Sequence, residues 1–254
     1  MKKLLSLALC AAAATSFAAG DEITLGDEIG VTMVTLPAGQ KETIIAASFV
    51  DLDTGNVSIA NLVKTTGLAE GDEILLYTAK DTYSAWKLNA DKAWEEAAKM
   101  YEVNANGVAV ESNGDDPKKT TATVGTGLWI VRKDATKAAT IAIYGKYETN
   151  RTTDITAGAW NLVGNAGLKP YTFTGGTAGD KLIAVQNGAR REYTYDGTKW
   201  TYPEYTTEKK KTFMGKEMNV VTETPKAGNP TIAPGEGFWY YTGTAKTVSW
   251  KDAE

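Results

Sequence analysis

The sequence contains no histidine, and its single cysteine, Cys10, lies within the first eighteen residues. Those residues have the features of a secretory signal peptide: Lys2 and Lys3 at the start, an apolar run over residues 4–14, and the small-x-small end Ser-Phe-Ala at residues 16–18. We expect this leader to be removed, which leaves a chain without cysteine or histidine. Such a chain forms no disulfide, no thiolate or imidazole metal site, and no Ser-His or Cys-His nucleophile.

Basic residues and long apolar runs are also scarce. The chain has 27 Lys and Arg against 31 Asp and Glu, a net charge of −4, and loss of Lys2 and Lys3 leaves 25 against 31, or −6. A nucleic-acid partner is therefore not expected, because it needs a clustered basic face. Beyond the leader no run approaches the roughly 20 apolar residues of a membrane helix. We expect an exported protein without a membrane span, located in the periplasm, at the cell surface or outside the cell.

Two similar segments stand about one domain apart. Residues 125–131 read Gly-Thr-Gly-Leu-Trp-Ile-Val, and residues 235–241 read Gly-Glu-Gly-Phe-Trp-Tyr-Tyr. The pairs Gly71-Asp72 and Gly179-Asp180 likewise precede similar apolar runs. The sequence therefore predicts a duplication, with a signal peptide at 1–18, a first copy at 19–148 and a second copy at 149–254.

The residue pattern predicts an all-β protein. Thr, Gly, Val, Ile, Tyr and Trp are plentiful and helical periodicity is scarce. We expect two tandem antiparallel β-sandwich or half-open barrel domains. The strands at 128–131 and 238–241 are each predicted to form a hairpin with the strand that follows, with alternate side chains on opposite faces. Residues 91–100 are rich in helix formers; a strand is favoured through Trp94, and 96–100 are left open between helix and strand.

The aromatic residues have two interpretations. Trp94, Trp129, Trp200 and Trp239 stand at matched places in both copies, which favours a role in the core over a sugar-stacking surface. We expect Trp129 and Trp239 to fill matching cores.

The copies differ at residues 47–62, 101–121 and 203–231, which we expect to be surface loops. The last segment, together with Tyr202 just before it, contains the candidate ligand-binding residues, because aromatic and basic side chains lie close together there in the sequence. Tyrosine rings would stack on sugar rings, and lysines would meet the carboxylate or sulfate groups of an acidic glycan. The simpler interpretation is a solvated loop tip. The candidates are Tyr202, Tyr205, Lys209, Lys210 and Lys211.

Three other motifs favour turns over chemistry. Residues 234–237, Pro-Gly-Glu-Gly, lack the Lys and the helix of a phosphate loop, so a tight turn is expected. Residues 51–56 resemble the start of a calcium loop, but Gly55 replaces a ligand, which favours an Asx-type turn. Asp72 and Asp180 can be a glycosidase pair or two turn carboxylates that accept backbone amides, and the turns are favoured. We assign no catalytic, cofactor-binding or metal-binding residue.

The second copy resembles a family of exported bacterial β domains. Their repeats open with Gly-Trp-Asn-Leu-x-Gly-Asn and close with Pro-Gly-x-Gly-Phe-Phe or Pro-Gly-x-Gly-Phe-Trp. Here residues 158–165 read Gly-Ala-Trp-Asn-Leu-Val-Gly-Asn and residues 234–239 read Pro-Gly-Glu-Gly-Phe-Trp. Ala159 is an insertion, and Ala166 stands where the family usually has Pro. The resemblance implies a surface or secreted β protein and supplies no site residues.

Together these features predict an exported, non-enzymatic protein with a structural or adhesive role, acting by self-assembly or on a surface polysaccharide. The alternative is a carbohydrate-binding module that uses exposed aromatics. A carboxylate-dependent glycosidase is disfavoured, because domains of about 110 residues leave little room for a deep cleft.

Overall fold

The computed structural model describes residues 29–51, 55–59, 63–77, 82–96, 101–103, 109–111, 122–148, 151–186, 189–211 and 217–250. Strands dominate this part of the chain, and every sheet is antiparallel, so the all-β prediction is confirmed. Residues 29–148 contain β1 Ile29–Leu36, β2 Glu42–Ala46, β3 Val63–Thr66, β4 Glu73–Tyr77, β5 Thr82–Leu88, β6 Trp94–Glu96, β7 Tyr101–Val103, β8 Ala109–Glu111, β9 Gly127–Val131 and β10 Ala139–Lys146. Residues 151–250 contain β11 Thr152–Ile155, β12 Trp160–Gly164, β13 Tyr171–Thr172, β14 Lys181–Gln186, β15 Ala189–Tyr195, β16 Trp200–Lys211, β17 Glu217–Ala227, β18 Thr231–Ile232, β19 Gly237–Tyr241 and β20 Lys246–Ser249.

The two stretches, here called the first and second halves, share a strand order. The first central sheet runs β2-β9-β4-β5-β7-β8, with β6 also paired to β5, and the second runs β12-β19-β14-β15-β16-β17. The register matches too: Trp129 faces Ile44 and Leu75, and Trp239 faces Leu162 and Ile183. Both β9 and β19 are therefore central strands, as their apolar residues on both faces predict.

Each half is a sandwich with its own core. In the first half the sheet β1-β10-β3 covers the central sheet, and the core lies between Leu36, Ile141 and Ile143 on one side and Ile74 and Ile130 on the other. In the second half the pairs β11-β20 and β13-β18 cover the central sheet. That core is largely aromatic, and it contains Phe173, Tyr193, Trp200, Phe238, Tyr240 and Trp250.

The strands after β9 and β19 are not their hairpin partners, so that prediction was wrong. β9 pairs with β2 and β4, whereas β10 pairs with β1 and β3 in the opposite sheet. The connection at 132–138 carries the chain between layers. Arg132, which is buried, donates there to the carbonyl oxygens of Pro37, Gln40 and Lys137, the first two at 3.3 and 3.0 Å.

The halves meet along a seam of glycines and backbone hydrogen bonds. The amide of Ala46 donates to the oxygen of Gly235 at 2.7 Å, and in the mirrored contact the amide of Gly164 donates to the oxygen of Gly125 at 2.8 Å. A Cβ on Gly164 would lie 2.4 Å from Cβ of Ala46, and one on Gly127 would lie 2.9 Å from the backbone of Val163. Only glycine allows the two backbones to approach this closely.

Beside the seam, Trp129 and Trp239 pack edge to face on each other, with ring centroids 6.5 Å apart. Tyr77 contacts Trp239 at 5.1 Å and Tyr83 contacts Trp129 at 5.9 Å. The expectation that these tryptophans fill separate matching cores was wrong, since both are partly exposed and form one cluster between the halves. The reason is the alternation of β9 and β19: Leu128 and Phe238 take the faces that point to the cores.

Trp94 and Trp200 do lie in the cores, with 6% and 0% of their surface exposed, as predicted. The Nε1 of Trp94 donates to the oxygen of Val63 at 3.0 Å. Residues 94–96 form β6, which confirms a strand through Trp94, whereas 97–100 lie outside the described residues.

The seam predicts that Gly164→Ala destabilises the protein. The new methyl group would overlap Ala46, and both backbones are held by hydrogen bonds, so we expect a loss of about 1–3 kcal/mol in the free energy of unfolding. Gly243→Ala is the matched control, because a Cβ there meets no atom within 4 Å. Urea unfolding followed by tryptophan fluorescence measures both, and equal midpoints for the two variants would contradict the close approach.

Candidate functional site

Residues 203–231, expected to be a surface loop, mostly form a long hairpin. β16 and β17 pair without interruption from Thr201 with Ala227 to Lys211 with Glu217. Residues 212–216, between the strands, lie outside the described residues. We call residues 203–211 with 217–225 the ribbon. Likewise, 101–103 and 109–111 in the second predicted loop are strands, whereas the described parts of 47–62 contain none.

The ribbon leaves the second central sheet because of Pro203. β15 pairs with β16 only at Tyr195 with Trp200 and Thr194 with Thr201. The amide of Gly228 donates to the oxygen of Trp200 at 3.1 Å, so even-numbered residues of β16 bond to β17 and odd-numbered ones face β15. The next donor toward β15 after Thr201 would be residue 203, and proline has no N–H. Pairing with β15 therefore stops, and beyond this point β17 is the only described strand that pairs with β16.

The structure separates the two candidate tyrosines. Tyr205 is 62% exposed, whereas Tyr202 is half-buried, contacts Tyr193 at 5.5 Å, and has the guanidinium of Arg191 4.7 Å from its ring centre. Because residues 202 and 205 differ by an odd number of positions along one strand, their side chains point to opposite faces. They cannot stack on the same sugar.

The candidate lysines lie in β16, not at a loop tip. Lys209 is exposed and shares the face of Tyr205, and the side chains of Lys210 and Lys211 lie outside the described residues. The charge of the surrounding surface is mixed. Lys226 pairs with Glu204 at 2.8 Å, and Arg190 pairs with Glu192 at 2.7 Å. Exposed pairs like these contribute little to stability.

The exposed face of the ribbon is partly apolar. The register places Tyr205 opposite Glu223, Thr207 opposite Val221, and Lys209 opposite Asn219 on this face. Val221 is 61% exposed, almost as much as Tyr205. In the described part of the chain, β17 has no neighbour besides β16, so its second edge offers backbone groups to solvent. Only a weak sequence signal marks this surface, because a stretch rich in Thr, Glu and Lys is equally typical of a polar loop.

The turn interpretation of Asp72 and Asp180 is confirmed. Oδ2 of Asp72 accepts the amide of Ala69 at 2.9 Å, and Oδ2 of Asp180 accepts the amide of Thr177 at 2.9 Å. Both side chains are buried. Gly235 adopts φ +75°, which supports a tight turn at 234–237.

Asp180 also anchors a polar cluster that sequence reasoning missed. Its Oδ2 accepts the hydroxyl of Tyr240 and the Nζ of Lys246, both at 2.7 Å, and Nζ lies 2.5 Å from the tyrosine oxygen. Burial alone would raise the pKa of Asp180, but the hydrogen bonds from Lys246, Thr177 and Tyr240 lower it below 3.8. Burial and the nearby carboxylate raise the pKa of Tyr240. Tyr240 and Asp180 are each 1% exposed, whereas the side chain of Lys246 is 29% exposed, so the lysine reaches this buried pair from the surface.

The calcium motif forms a turn in its described part. The amide of Gly55 donates to the oxygen of Asp51 at 2.9 Å, and the amide of Asp51 donates to the oxygen of Asn56 at 2.8 Å. Asp53 lies outside the described residues. Within the described ranges, no three Asp, Glu, Cys or His side chains are grouped as metal ligands. The same ranges contain no helix with the length and apolarity needed to cross a bilayer.

The cluster predicts an acid-sensitive contribution to stability. Because the folded-state pKa of Asp180 is lowered, its contribution is complete above the unfolded value near 3.8 and is lost as the pH falls through the folded value. The difference in unfolding free energy between the wild type and Asp180→Asn should therefore shrink in acid. Lys246→Met removes one of the interactions that lower the pKa, so the loss in acid should be smaller and should be complete at a higher pH. A difference that stays constant from neutral pH to below pH 3.8 would contradict this account.

No protein-family model matches the chain, and searches of curated proteins and of solved structures also give no match.

Proposed function

We propose that this is an exported, non-enzymatic protein with a structural or adhesive role, which acts by forming an extracellular assembly. The ribbon carries this proposal. It extends nine residue pairs, from Pro203 with Pro225 to Lys211 with Glu217, or about 31 Å at the rise of an antiparallel strand. Over most of that length no described core lies beneath it.

A two-stranded ribbon without a third layer is only marginally stable in water. Here it also exposes Tyr205 and Val221 on one face and leaves the second edge of β17 unpaired in the described residues. Exposed edges of this kind pair with strands of other chains. The contact with a partner would supply the layer that the ribbon lacks.

We further infer that the two halves are copies of one unit. The shared strand order and the mirrored bonds at the seam support this inference. Duplication explains the shared frame, and the second half carries the ribbon on it. The predicted signal peptide at 1–18 supports export, and the family resemblance of residues 158–165 and 234–239 supports a surface or secreted location.

The assembly proposal predicts oligomers that grow with concentration. Light scattering of the exported protein over a wide concentration range, together with electron microscopy, measures this directly. A protein that stays monomeric at every concentration and forms no fibres would refute the proposal.

A carbohydrate-binding role is the second candidate, and the exposure of Tyr205 favours it. Lys209 lies four residues further along the same face, about 13 Å away at the rise of a strand. This spacing fits a short oligosaccharide, with one ring stacked on Tyr205 and an acidic group near Lys209. Tyr202 would take no direct part, because it packs on the other face.

If the protein binds an acidic glycan, replacing Lys209, Lys210 and Lys211 by Ala should weaken binding and reduce its salt dependence. The melting temperature should hardly change, since exposed charges contribute little to stability. A glycan array followed by titration at two salt concentrations measures the effect. Tyr202→Phe is the control and should bind like the wild type. Unchanged affinity after the triple replacement would exclude this site.

A further inference from the structure

The hydrogen-bond pattern of the ribbon determines which backbone groups of β17 remain available. Even-numbered residues of β16 bond to β17, so their partners at 220, 222 and 224 face inward. The N–H and C=O groups of Glu217, Asn219, Val221 and Glu223 therefore point away from β16. Pro225 ends this series, because it has no N–H. Among the described strands, the free edge of β17 is thus a short segment from Glu217 to Glu223, which includes Val221.

We propose that this edge is the contact between two copies of the chain, in which two β17 strands pair antiparallel about a two-fold axis at Val221. This proposal rests on the assembly function above and names its interface. Each Val221 would face its counterpart, and Asn219 of one copy would face Glu223 of the other. About six hydrogen bonds would join the central three pairs. The two ribbons would become one four-stranded sheet.

The side chains favour this register over its neighbours. Centred on Val221, the pairing brings two apolar side chains together and sets each Glu223 carboxylate beside an Asn219 amide. Lys209, on β16, is paired with Asn219, which would face Glu223 of the other copy. The positive charge of Lys209 would therefore lie in the same cross-strand row as that Glu223 carboxylate. A shift of the axis to residue 223 would put two Glu223 carboxylates opposite each other, which is unfavourable.

The shared face would also become less exposed to solvent. Among the described side chains of the ribbon, Val221 and Tyr205 are large apolar groups with high exposure, at 61% and 62%. In the four-stranded sheet each Val221 gains an apolar neighbour, and each Tyr205 lies one strand away on the adjacent row. An isologous contact of this kind closes on itself and gives a dimer.

Cysteine cross-linking tests the register. Cys10 is the only native cysteine, so the experiment uses the full-length gene product with Cys10→Ser, purified after export. Val221→Cys places two thiols on residues about 5.5 Å apart between Cα atoms, within disulfide range. Asn219→Cys is the control, because its two copies would be offset by four residues, about 13 Å. We expect at least tenfold more cross-linked dimer from Val221→Cys under mild oxidation.

Proline substitution tests the edge. Val221→Pro removes the outward N–H without removing a donor of the hairpin, so the dimer should dissociate. Thr207→Pro, at the opposite residue on β16, removes an outward donor from the other edge and should leave the dimer intact. Light scattering measures the oligomeric state of both variants, and far-UV circular dichroism checks that the strands persist.

The outcomes separate this interface from assembly in general. Equal cross-linking of the two cysteine variants would overturn the proposed register. A wild-type oligomer that survives Val221→Pro would overturn the β17 edge and leave the assembly function standing. A wild-type monomer at all concentrations would overturn both.

Discussion

The close backbone contact at the seam is the constraint on which the arrangement of the two halves depends. Four glycines lie where the two central sheets meet: Gly125, Gly127, Gly164 and Gly237. A Cβ at any of the last three would collide with residues of the facing strand in the other half. Because the backbones of the two halves approach so closely, each half donates a backbone hydrogen bond to the other. The aromatic cluster of Trp129 and Trp239 then fills the angle where the sheets diverge. The seam therefore fixes where the outer faces of both sheets, and hence the ribbon, are directed.

The halves share a frame but stabilise it differently. At the matched turns, the carboxylate of Asp72 accepts a hydrogen bond from the backbone amide of Lys133. The carboxylate of Asp180 instead accepts hydrogen bonds from the side chains of Lys246 and Tyr240. The register places Tyr240 beside Leu182 just as Ile130 lies beside Ile74. A polar tyrosine in the core needs a partner for its hydroxyl, and the turn carboxylate supplies it. The second half thus accommodates an aromatic core that the first half lacks.

Local sequence patterns predicted local structure well and pairing poorly. The strands at 127–131 and 237–241, the buried Trp94 and Trp200, and the turn carboxylates follow from alternation, residue size and turn chemistry. The choice between a hairpin and a crossing to the opposite sheet does not, because it depends on pairing with strands far away in the sequence: β10 pairs with β1 and β3, and β20 pairs with β11. The placement of Trp129 and Trp239 also escaped prediction, since only the meeting of two halves buries that face. For the candidate site, Tyr202 and Tyr205 were grouped because they are close in sequence. In the structure they lie an odd number of positions apart on β16, so their side chains point to opposite faces.

The two prolines of the ribbon show how a sheet edge can be open in one place and closed in another. Pro203 and Pro225 are paired directly, and neither can donate a hydrogen bond outward. Proline is one of the means by which proteins prevent unwanted pairing of strand edges. Here Pro203 blocks the edge of β16 next to β15, and Pro225 blocks the outer edge of β17, both close to the body of the protein. Further out, β17 has no such block at Asn219, Val221 or Glu223. A ribbon protected along its whole length would have no evident use for exposed Tyr205 and Val221, so its selective protection favours one defined contact over general adhesion.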